Sequence, residues 1–184
     1  MSITKTLARL AVCLLPVAVS AQQPPAPAPL AVPNPNYVSI PMEVTVNKPV
    51  AEVWKRIGKY CDIGEWFQIP GGCQIISGTD GEVGAVRSVG NEILVGKTEY
   101  SYTYTQPVRE GRPYNLYHGT LEARAGDANT TKLLYTLMYD NSMVTGDDAA
   151  KKAEMERRRA TFMRALNNMK TLAEGGTLPT RPGR

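Results

Sequence analysis

The chain has 184 residues, 42% of them apolar, and a formal net charge of +4 at pH 7. This length suits one domain with extensions, and the apolar content is enough for a packed core. The charge is too small and too evenly spread for a nucleic-acid-binding protein, so we predict no nucleic-acid partner.

The first 21 residues have the layout of a secretory signal peptide. Lys5 and Arg9 form a positive start, an apolar run extends from Leu10 to Val19, and cleavage is predicted after Ala21. The run is about half as long as a membrane-spanning helix, so export to the periplasm or outside the cell is predicted rather than a membrane anchor. Because the segment holds two cations and no acid, the mature chain would carry +2, and we predict no stable membrane span in it.

The remaining sequence divides into three regions. Residues 22–36 are rich in proline and alanine, which predicts an extended linker, because proline fixes φ and donates no backbone hydrogen bond. Residues 37–175 are predicted to form the domain, and residues 176–184 a flexible tail.

Two cysteines, Cys61 and Cys73, remain after export. An oxidising compartment favours a disulfide between them, which would close a short loop and stabilise the fold by about 3 kcal/mol. The alternative is a pair of buried free thiols. Two cysteines and the distant His118 lack the spacing of zinc ligands, so we predict neither a metal nor a cofactor.

The domain begins with a strand-like segment, Tyr37 to Val46, whose side chains alternate between apolar and polar. Pro41 places this strand at a sheet edge or at a bulge. Two short helices are predicted next, Val50 to Ile57 with an apolar stripe and then a turn that carries Trp66 and Phe67.

Strand patterns dominate the middle of the domain. Short segments between Gln74 and Val95 are separated by glycine turns, and the clearest strands are Glu99–Thr105, Tyr117–Ala123 and Thr131–Tyr139. Their close spacing predicts an antiparallel meander.

A long helix ends the domain. Asp147 and Asp148 suit its start, and Gly175-Gly176 its end. Four arginines lie mainly away from its apolar stripe, which indicates a solvated face rather than an anion-binding patch: Arg157, Arg158, Arg159 and Arg164.

This order of elements resembles the helix-grip fold of the START and birch-pollen-allergen superfamily, called SRPBCC. Val50–Trp54 resembles its first helix, Ile63–Phe67 its second helix, and Gly84–Arg87 the Gly-x-x-Arg opening of its third strand. Tyr100–Tyr104, followed by Pro107 and Tyr117–Leu121, is similar to the middle hairpin of the branch called polyketide cyclase/dehydrase and lipid transport. The resemblance covers about Tyr37 to Gly175. It implies an α+β fold in which a curved antiparallel sheet wraps around a long C-terminal helix.

Such a fold would enclose a cavity on the inner side of the sheet. Alternation assigns eight strand residues to that side: Tyr102, Tyr104, Tyr117, Leu121, Leu133, Tyr135, Leu137 and Tyr139. Phe162, Leu166 and Met169 would close the cavity from the helix, with Trp66 near its mouth. Tyrosine gives a ligand apolar contact and one polar group, although ordinary half-buried sheet tyrosines are the alternative. Arg87 and Glu99 could add an inward pair, with a purely structural ion pair as the alternative.

These features predict an exported protein that binds a small hydrophobic molecule or lipid. One alternative is a cyclase- or dehydratase-like enzyme that acts on a polyketide-like or aromatic substrate with tyrosine and Arg87 or Glu99. Another is a non-catalytic accessory protein with a filled core. No catalytic residue is assigned, because His118, the only histidine, should point outward and no Ser-His-Asp pattern or phosphate-binding loop occurs. The ligand's identity and the oligomeric state stay open.

Overall fold

The computed structural model describes residues 34–108, 112, 114–127 and 129–179. The predicted signal peptide, residues 22–33 of the predicted linker and residues 180–184 of the predicted tail lie outside this part of the chain. Its elements are β1 (Tyr37–Val46), α1 (Val50–Ile57), α2 (Ile63–Trp66), β2 (Ile75–Ser77), β3 (Val86–Arg87), β4 (Glu92–Thr98), β5 (Ser101–Thr105), β6 (Asn115–Ala125), β7 (Thr131–Asp140) and α3 (Asp148–Ala173). Among these helices, none combines the length and the apolar character that crossing a membrane requires.

The strands form one antiparallel sheet in the order β1-β7-β6-β5-β4-β3-β2. Strands β2 to β7 follow one another as a meander, which confirms the predicted topology, and β1 pairs with β7 at the far edge. Pro41 therefore lies in an edge strand, as predicted. The Pro41 carbonyl oxygen accepts a hydrogen bond from Arg159 Nη1 at 2.8 Å, so it points away from β7. The nitrogen of a strand residue points to the same side as its carbonyl, so the missing N–H of Pro41 costs no hydrogen bond to β7.

The long helix α3 packs on β1, β7, α1 and α2. The side chain of Asp147 caps its first turn by accepting a hydrogen bond from the Ala150 N–H at 2.9 Å, which confirms the predicted start. The helix ends at Ala173, two residues before Gly175, whose φ of 88° is the left-handed conformation that favours glycine. The predicted end is therefore also confirmed.

The hairpin between β4 and β5 differs from the prediction. Glu99 and Tyr100 form its two-residue turn, so the strand expected from Glu99 begins only at Ser101, opposite Thr98. The Tyr–Ser/Thr alternation extends through Tyr100 without a break, and this periodicity carries no signal for the turn. Glu99 is accordingly exposed.

Cys61 and Cys73 form the predicted disulfide, with their Cα atoms 5.2 Å apart. The bridge ties the residues just before α2 to the segment that leads into β2. Cys61 follows Tyr60 directly in the chain, so the bridge also restrains the backbone next to Tyr60. The ring of Tyr60 contributes to the site described below.

Gly119 leaves room for the ring of Tyr104 on the face of the sheet. It lies opposite Tyr104 on β5, and a methyl group at Gly119 would overlap the Tyr104 ring. That ring cannot move aside easily, because its hydroxyl shares a hydrogen bond of 2.8 Å with the hydroxyl of Tyr135. Gly119→Ala is therefore expected to lower the free energy of unfolding by about 1–3 kcal/mol, as measured by urea denaturation.

Gly96→Ala is the matched control for this prediction. Gly96 also lies in a strand, but nothing lies within 4 Å of the position that its Cβ would occupy. Its replacement should leave the free energy of unfolding almost unchanged. Equal stability of the two variants would show that Tyr104 is not confined as described.

Candidate functional site

The inner face of the sheet is lined with buried tyrosines and leucines. Buried there are the residues that alternation assigned to that face: Tyr102, Tyr104, Tyr117, Leu121, Leu133, Tyr135, Leu137 and Tyr139. Their side chains share one side of the sheet because side chains alternate along β5, β6 and β7, with one irregularity in β6 between Asn115 and His118. Leu166 and Met169 of α3 are buried as well, whereas Phe162 is only partly buried.

The rings on this face pack against one another. The centroids of Tyr117 and Tyr139 are 6.0 Å apart, and those of Tyr135 and Phe162 are 4.8 Å apart. Trp66 packs at 6.3 Å from Tyr135 and is fully buried, so it does not stand at a mouth as expected. The role of these residues as ligand contacts stays a prediction, because their rings are engaged with each other.

A cleft of about 640 Å³ lies beside this aromatic interior. It runs between the end of α1, the β4–β5 hairpin and the turn at Asp80-Gly81. The residues that line it are Trp54, Gly58, Lys59, Tyr60, Asp80, Gly81, Leu94, Lys97, Thr98, Glu99, Ser101 and Tyr102. Among the described residues, smaller clefts of about 340 and 310 Å³ lie elsewhere.

The floor of the cleft is aromatic. The ring of Tyr102 packs on Trp54 at 5.9 Å between centroids and meets Tyr60 edge-on at 5.4 Å. Leu94 completes this floor from β4. Of these four residues only Tyr102 belonged to the predicted lining.

The other three floor residues were not assigned to the site from the sequence. Trp54 follows the apolar stripe of α1, which by itself indicates core packing. Tyr60 lies in an irregular segment between two helices, where no periodicity predicts the direction of its side chain. Leu94 could have been found only by the exact register of β4, which contains a bulge between Leu94 and Gly96.

Polar side chains form the rim. Lys97 Nζ donates to the carbonyl oxygen of Gly81 at 2.8 Å and to Glu82 Oε1 at 2.7 Å, so it holds the turn at Gly81 against β4. The hydroxyls of Thr98 and Ser101 share a hydrogen bond of 2.7 Å across the hairpin. Glu99 lies on this rim rather than in the interior.

A buried ion pair lies against the floor. Arg87 Nε donates to Glu92 Oε2 at 2.7 Å, and Arg87 Nη1 donates to the Tyr60 carbonyl oxygen at 2.6 Å. The guanidinium carbon lies 4.4 Å from the centre of the Tyr60 ring and 4.6 Å from that of Tyr104. Arg87 is thus held by one charge, one carbonyl and two aromatic faces.

The prediction that Glu99 accompanies Arg87 in an inward pair was wrong, because Glu92 takes that place. Residues 88–91 connect β3 to β4, which sets Arg87 directly opposite Glu92. Gly90 and Asn91 both have positive φ, as a tight turn requires. The Gly-Asn pair was therefore the sequence signal for the correct partner.

Burial controls the protonation of these groups. It raises the pKa of Tyr60 and of Tyr102 above the ordinary value, so both phenols keep their protons at neutral pH. Burial also raises the pKa of Glu92. The charge of Arg87 and a hydrogen bond from Gln106 act in the opposite direction and lower this pKa. Arg87 stays a cation at any accessible pH.

A second arginine, Arg158, is partly buried at the opposite side of the tyrosine cluster. The guanidinium carbon of Arg158 lies 4.5 Å from the centre of the Tyr114 ring and 4.6 Å from that of Tyr139. Arg158 is paired with Glu154, which also accepts a hydrogen bond of 2.6 Å from the Tyr139 hydroxyl. The prediction that Arg158 lies on a solvated face was therefore wrong, because its planar group stacks on rings that the sheet supplies.

Two further sequence predictions concern His118 and metal binding. His118 is half-buried on the side of β6 opposite to Tyr117, and burial lowers its pKa. Within residues 34–108, 112, 114–127 and 129–179, no group of three or more His, Cys, Asp or Glu side chains is arranged to hold a metal ion.

Solved structures share this architecture. A protein from Thermobifida fusca aligns with 20% identity and a TM-score of 0.60, covering 78% of this chain and 99% of its own. The Zhui aromatase/cyclase from a Streptomyces species aligns with 18% identity and a TM-score of 0.54, covering 77% and 100%. Ara h 8.0201 aligns with 16% identity and a TM-score of 0.50, covering 73% and 98%. No protein-family model matches the sequence, and no curated protein matches it significantly.

These similarities and the sheet topology define the class of fold. The chain is an α+β protein with a helix-grip fold, in which an antiparallel sheet packs on a long C-terminal helix. This is the fold that the order of the sequence motifs predicted. Membership of the polyketide cyclase/dehydrase branch stays a prediction.

Proposed function

We propose that this chain is an exported protein that binds a small, mainly apolar molecule in the cleft above Trp54, Tyr60 and Tyr102. The observation that carries the proposal is the aromatic floor of a cleft of about 640 Å³. Ligand sites typically have volumes of about 300–1,000 Å³, apolar walls and a few polar groups. The hydroxyls and charges on the rim would orient the ligand, and the rings would provide most of the buried contact.

Export is the second part of the proposal. The predicted signal peptide supports it, and so does the disulfide between Cys61 and Cys73, because disulfides persist in oxidising compartments. Intact mass measurement of the protein purified from its native exported fraction should give a chain that begins at Gln22 with the disulfide formed. A chain retained in the cytosol with residues 1–21 intact would contradict export.

The first experiment on the ligand uses the same exported fraction. Native mass spectrometry followed by organic extraction should detect a stoichiometric apolar adduct and identify its chemical class. A clean apo mass, together with no uptake of apolar probes, would favour the accessory protein with a filled core.

A bulky side chain at the rim should close the cleft. Thr98 is exposed and lines the cleft, so Thr98→Phe fills its opening without disturbing the core. We expect the affinity for fluorene, a rigid apolar probe, to fall by about tenfold or more, which corresponds to about 1.4 kcal/mol of binding free energy. Equilibrium dialysis of the exported protein measures this change.

Val95→Phe is the matched control for Thr98→Phe. Val95 is 44% exposed on the same strand but does not line the cleft. The control should bind fluorene as the unmodified protein does. Equal losses in the two variants, or no loss in either, would contradict the assignment of the site.

A cyclase- or dehydratase-like activity is a second candidate function, favoured by the buried Arg87–Glu92 pair that contacts the floor residue Tyr60. Proton transfer requires a group poised near the substrate, and this pair is a buried acid and cation in contact with a floor residue. An enzyme would convert a poly-β-ketone surrogate to a product that has lost water, and Glu92→Gln would abolish this conversion. A binding protein would release the surrogate unchanged.

A further inference from the structure

The turn between β2 and β3 forms one wall of the cleft and is rich in glycine. Gly78, Gly81 and Gly84 have φ values of 77°, 73° and 94°, a conformation that residues with a side chain rarely adopt. The residues between the outer two glycines, 79–83, are called the flap. Asp80 and Gly81 of the flap line the cleft, and every flap residue except Gly81 is exposed. Packing therefore restrains the flap little.

The base of the flap is closed and fixed to β4. The Gly84 N–H donates to the Leu94 carbonyl oxygen at 2.8 Å, and the Leu94 N–H donates to the Ala85 carbonyl oxygen at 2.9 Å. A methyl group at Gly78 would lie 2.9 Å from the Ala85 Cα atom, so the two ends of the flap are in contact. A loop with a narrow base and glycine at both ends has the form of a hinged lid.

Among the described residues, the side chain of Lys97 joins the flap to β4. Lys97 Nζ donates to the Gly81 carbonyl oxygen at 2.8 Å and to Glu82 Oε1 at 2.7 Å. Both partners of this ion pair are exposed, with 41% of the Lys97 side chain and 62% of the Glu82 side chain accessible. Because exposed ion pairs are weak, thermal motion can break these contacts while the domain stays folded. Lys97 thus has the position and the strength of a latch.

The other walls of the cleft are anchored more firmly. The Tyr60 carbonyl oxygen accepts a hydrogen bond of 2.6 Å from the buried Arg87, and the disulfide restrains the residue that follows Tyr60. The β4–β5 hairpin is held by Tyr102, which is buried and lies opposite Leu121 of β6. Of the walls of the cleft, the flap is the one that can move without disturbing the core.

We propose that the flap opens and closes the cleft, and that Lys97 controls how fast the ligand enters and leaves. This inference rests on the proposed function and specifies how the site exchanges its ligand. When Lys97 releases Gly81 and Glu82, the flap rotates about Gly78 and Gly84 and widens the cleft. An apolar ligand has no part in the latch contacts, so their loss speeds entry and exit equally and leaves the affinity almost unchanged.

Lys97→Met and Glu82→Gln test this inference through the rates of ligand exchange. Met keeps the apolar stem of Lys97 without its charge, and Glu82 does not line the cleft, so Glu82→Gln removes no contact with the ligand. Lys97→Met should speed both association and dissociation of fluorene by about fivefold, and Glu82→Gln by about twofold. The affinity of both variants should stay within about twofold of that of the unmodified protein.

Two measurements on the exported protein give these quantities. Stopped-flow fluorescence of fluorene, with β-cyclodextrin as a trap for the released probe, gives the dissociation rate, and equilibrium dialysis gives the affinity. Lys132→Met is the matched control, because Lys132 and Glu43 form an exposed ion pair that does not line the cleft. This control should leave both rates unchanged.

Salt tests the latch in the unmodified protein. Ions screen the exposed pair of Lys97 and Glu82, whereas fluorene carries no charge. Raising the NaCl concentration from about 0.05 M to about 0.5 M should therefore speed fluorene exchange in the unmodified protein more than in Lys97→Met. An equal response of the two proteins would contradict the latch.

The outcomes separate the two proposals. Fluorene binding with rates that neither variant changes would overturn this inference alone. Faster dissociation at an unchanged association rate would also overturn it, because Lys97 would then act by contacting the ligand. Failure of the unmodified protein to bind fluorene would overturn the proposed function and this inference with it.

Discussion

Replacing Arg87 by methionine is expected to lower the free energy of unfolding by about 3–5 kcal/mol, because it leaves the carboxylate of Glu92 buried without its cation. The variant also deprives the Tyr60 carbonyl oxygen of its donor and removes a guanidinium packed on two rings. Glu92→Leu should cost a similar amount for the complementary reason. Urea denaturation of both single variants and the double variant forms a mutant cycle.

The double variant should recover part of the loss, because an apolar pair avoids the desolvation of two charges. Recovery stays incomplete, since the Tyr60 carbonyl and the Gln106 amide lose their partners. Lys132→Met provides the control, because Lys132 and Glu43 form an exposed ion pair that should contribute at most about 1 kcal/mol. An Arg87→Met variant no less stable than Lys132→Met would show that the buried pair lacks the assigned role.

The protein is expected to unfold cooperatively in alkali, a little above pH 10. Folding raises the pKa of six buried tyrosines, and burial is the largest cause for each: Tyr60, Tyr102, Tyr104, Tyr117, Tyr135 and Tyr139. Below about pH 10 the phenols are protonated in both states and contribute no pH dependence. Above it, only the unfolded chain releases these protons, so stability falls as pH rises.

The magnitude follows from the number of phenols. Each contributes a loss of about 1.4 kcal/mol per pH unit, so six together consume a typical stability of about 5–15 kcal/mol within about one to two units. Circular dichroism and tyrosinate absorbance followed against pH should therefore change together. Tyr117→Phe, with one phenol fewer, should show a dependence shallower by about 1.4 kcal/mol per pH unit. Gradual ionisation of all tyrosines in a chain that stays folded would contradict the described burial.

Two arginines that stack on tyrosine rings, Arg87 buried and Arg158 partly buried, have a common consequence for the fold. Arg87 and Arg158 each lie over tyrosine rings and each pair with one glutamate. Their charged groups lie at two ends of the tyrosine cluster. The cleft lies at the Arg87 end, so the ion pair there can support the floor that a ligand contacts.

Several features follow from the sequence by itself. The alternation of apolar side chains in β1, β6 and β7 determines which residues face the core, because successive side chains of a strand point to opposite sides. Asp147 and Gly175 mark the limits of α3 through local capping chemistry. The order of motifs predicted the helix-grip fold, and two cysteines in a predicted exported chain predicted the disulfide.

The tertiary structure decided where a ligand site can lie. Tyr60 reaches the cleft from an irregular segment, and Leu94 reaches it through a bulge, so neither position has a periodic signal. Glu92 replaced Glu99 as the partner of Arg87 because a turn of four residues set the cross-strand register. Arg158 is partly buried because tyrosines distant in sequence converge on it. Local patterns determine which way a side chain points along its own element, whereas the packing of separate elements determines what it meets there.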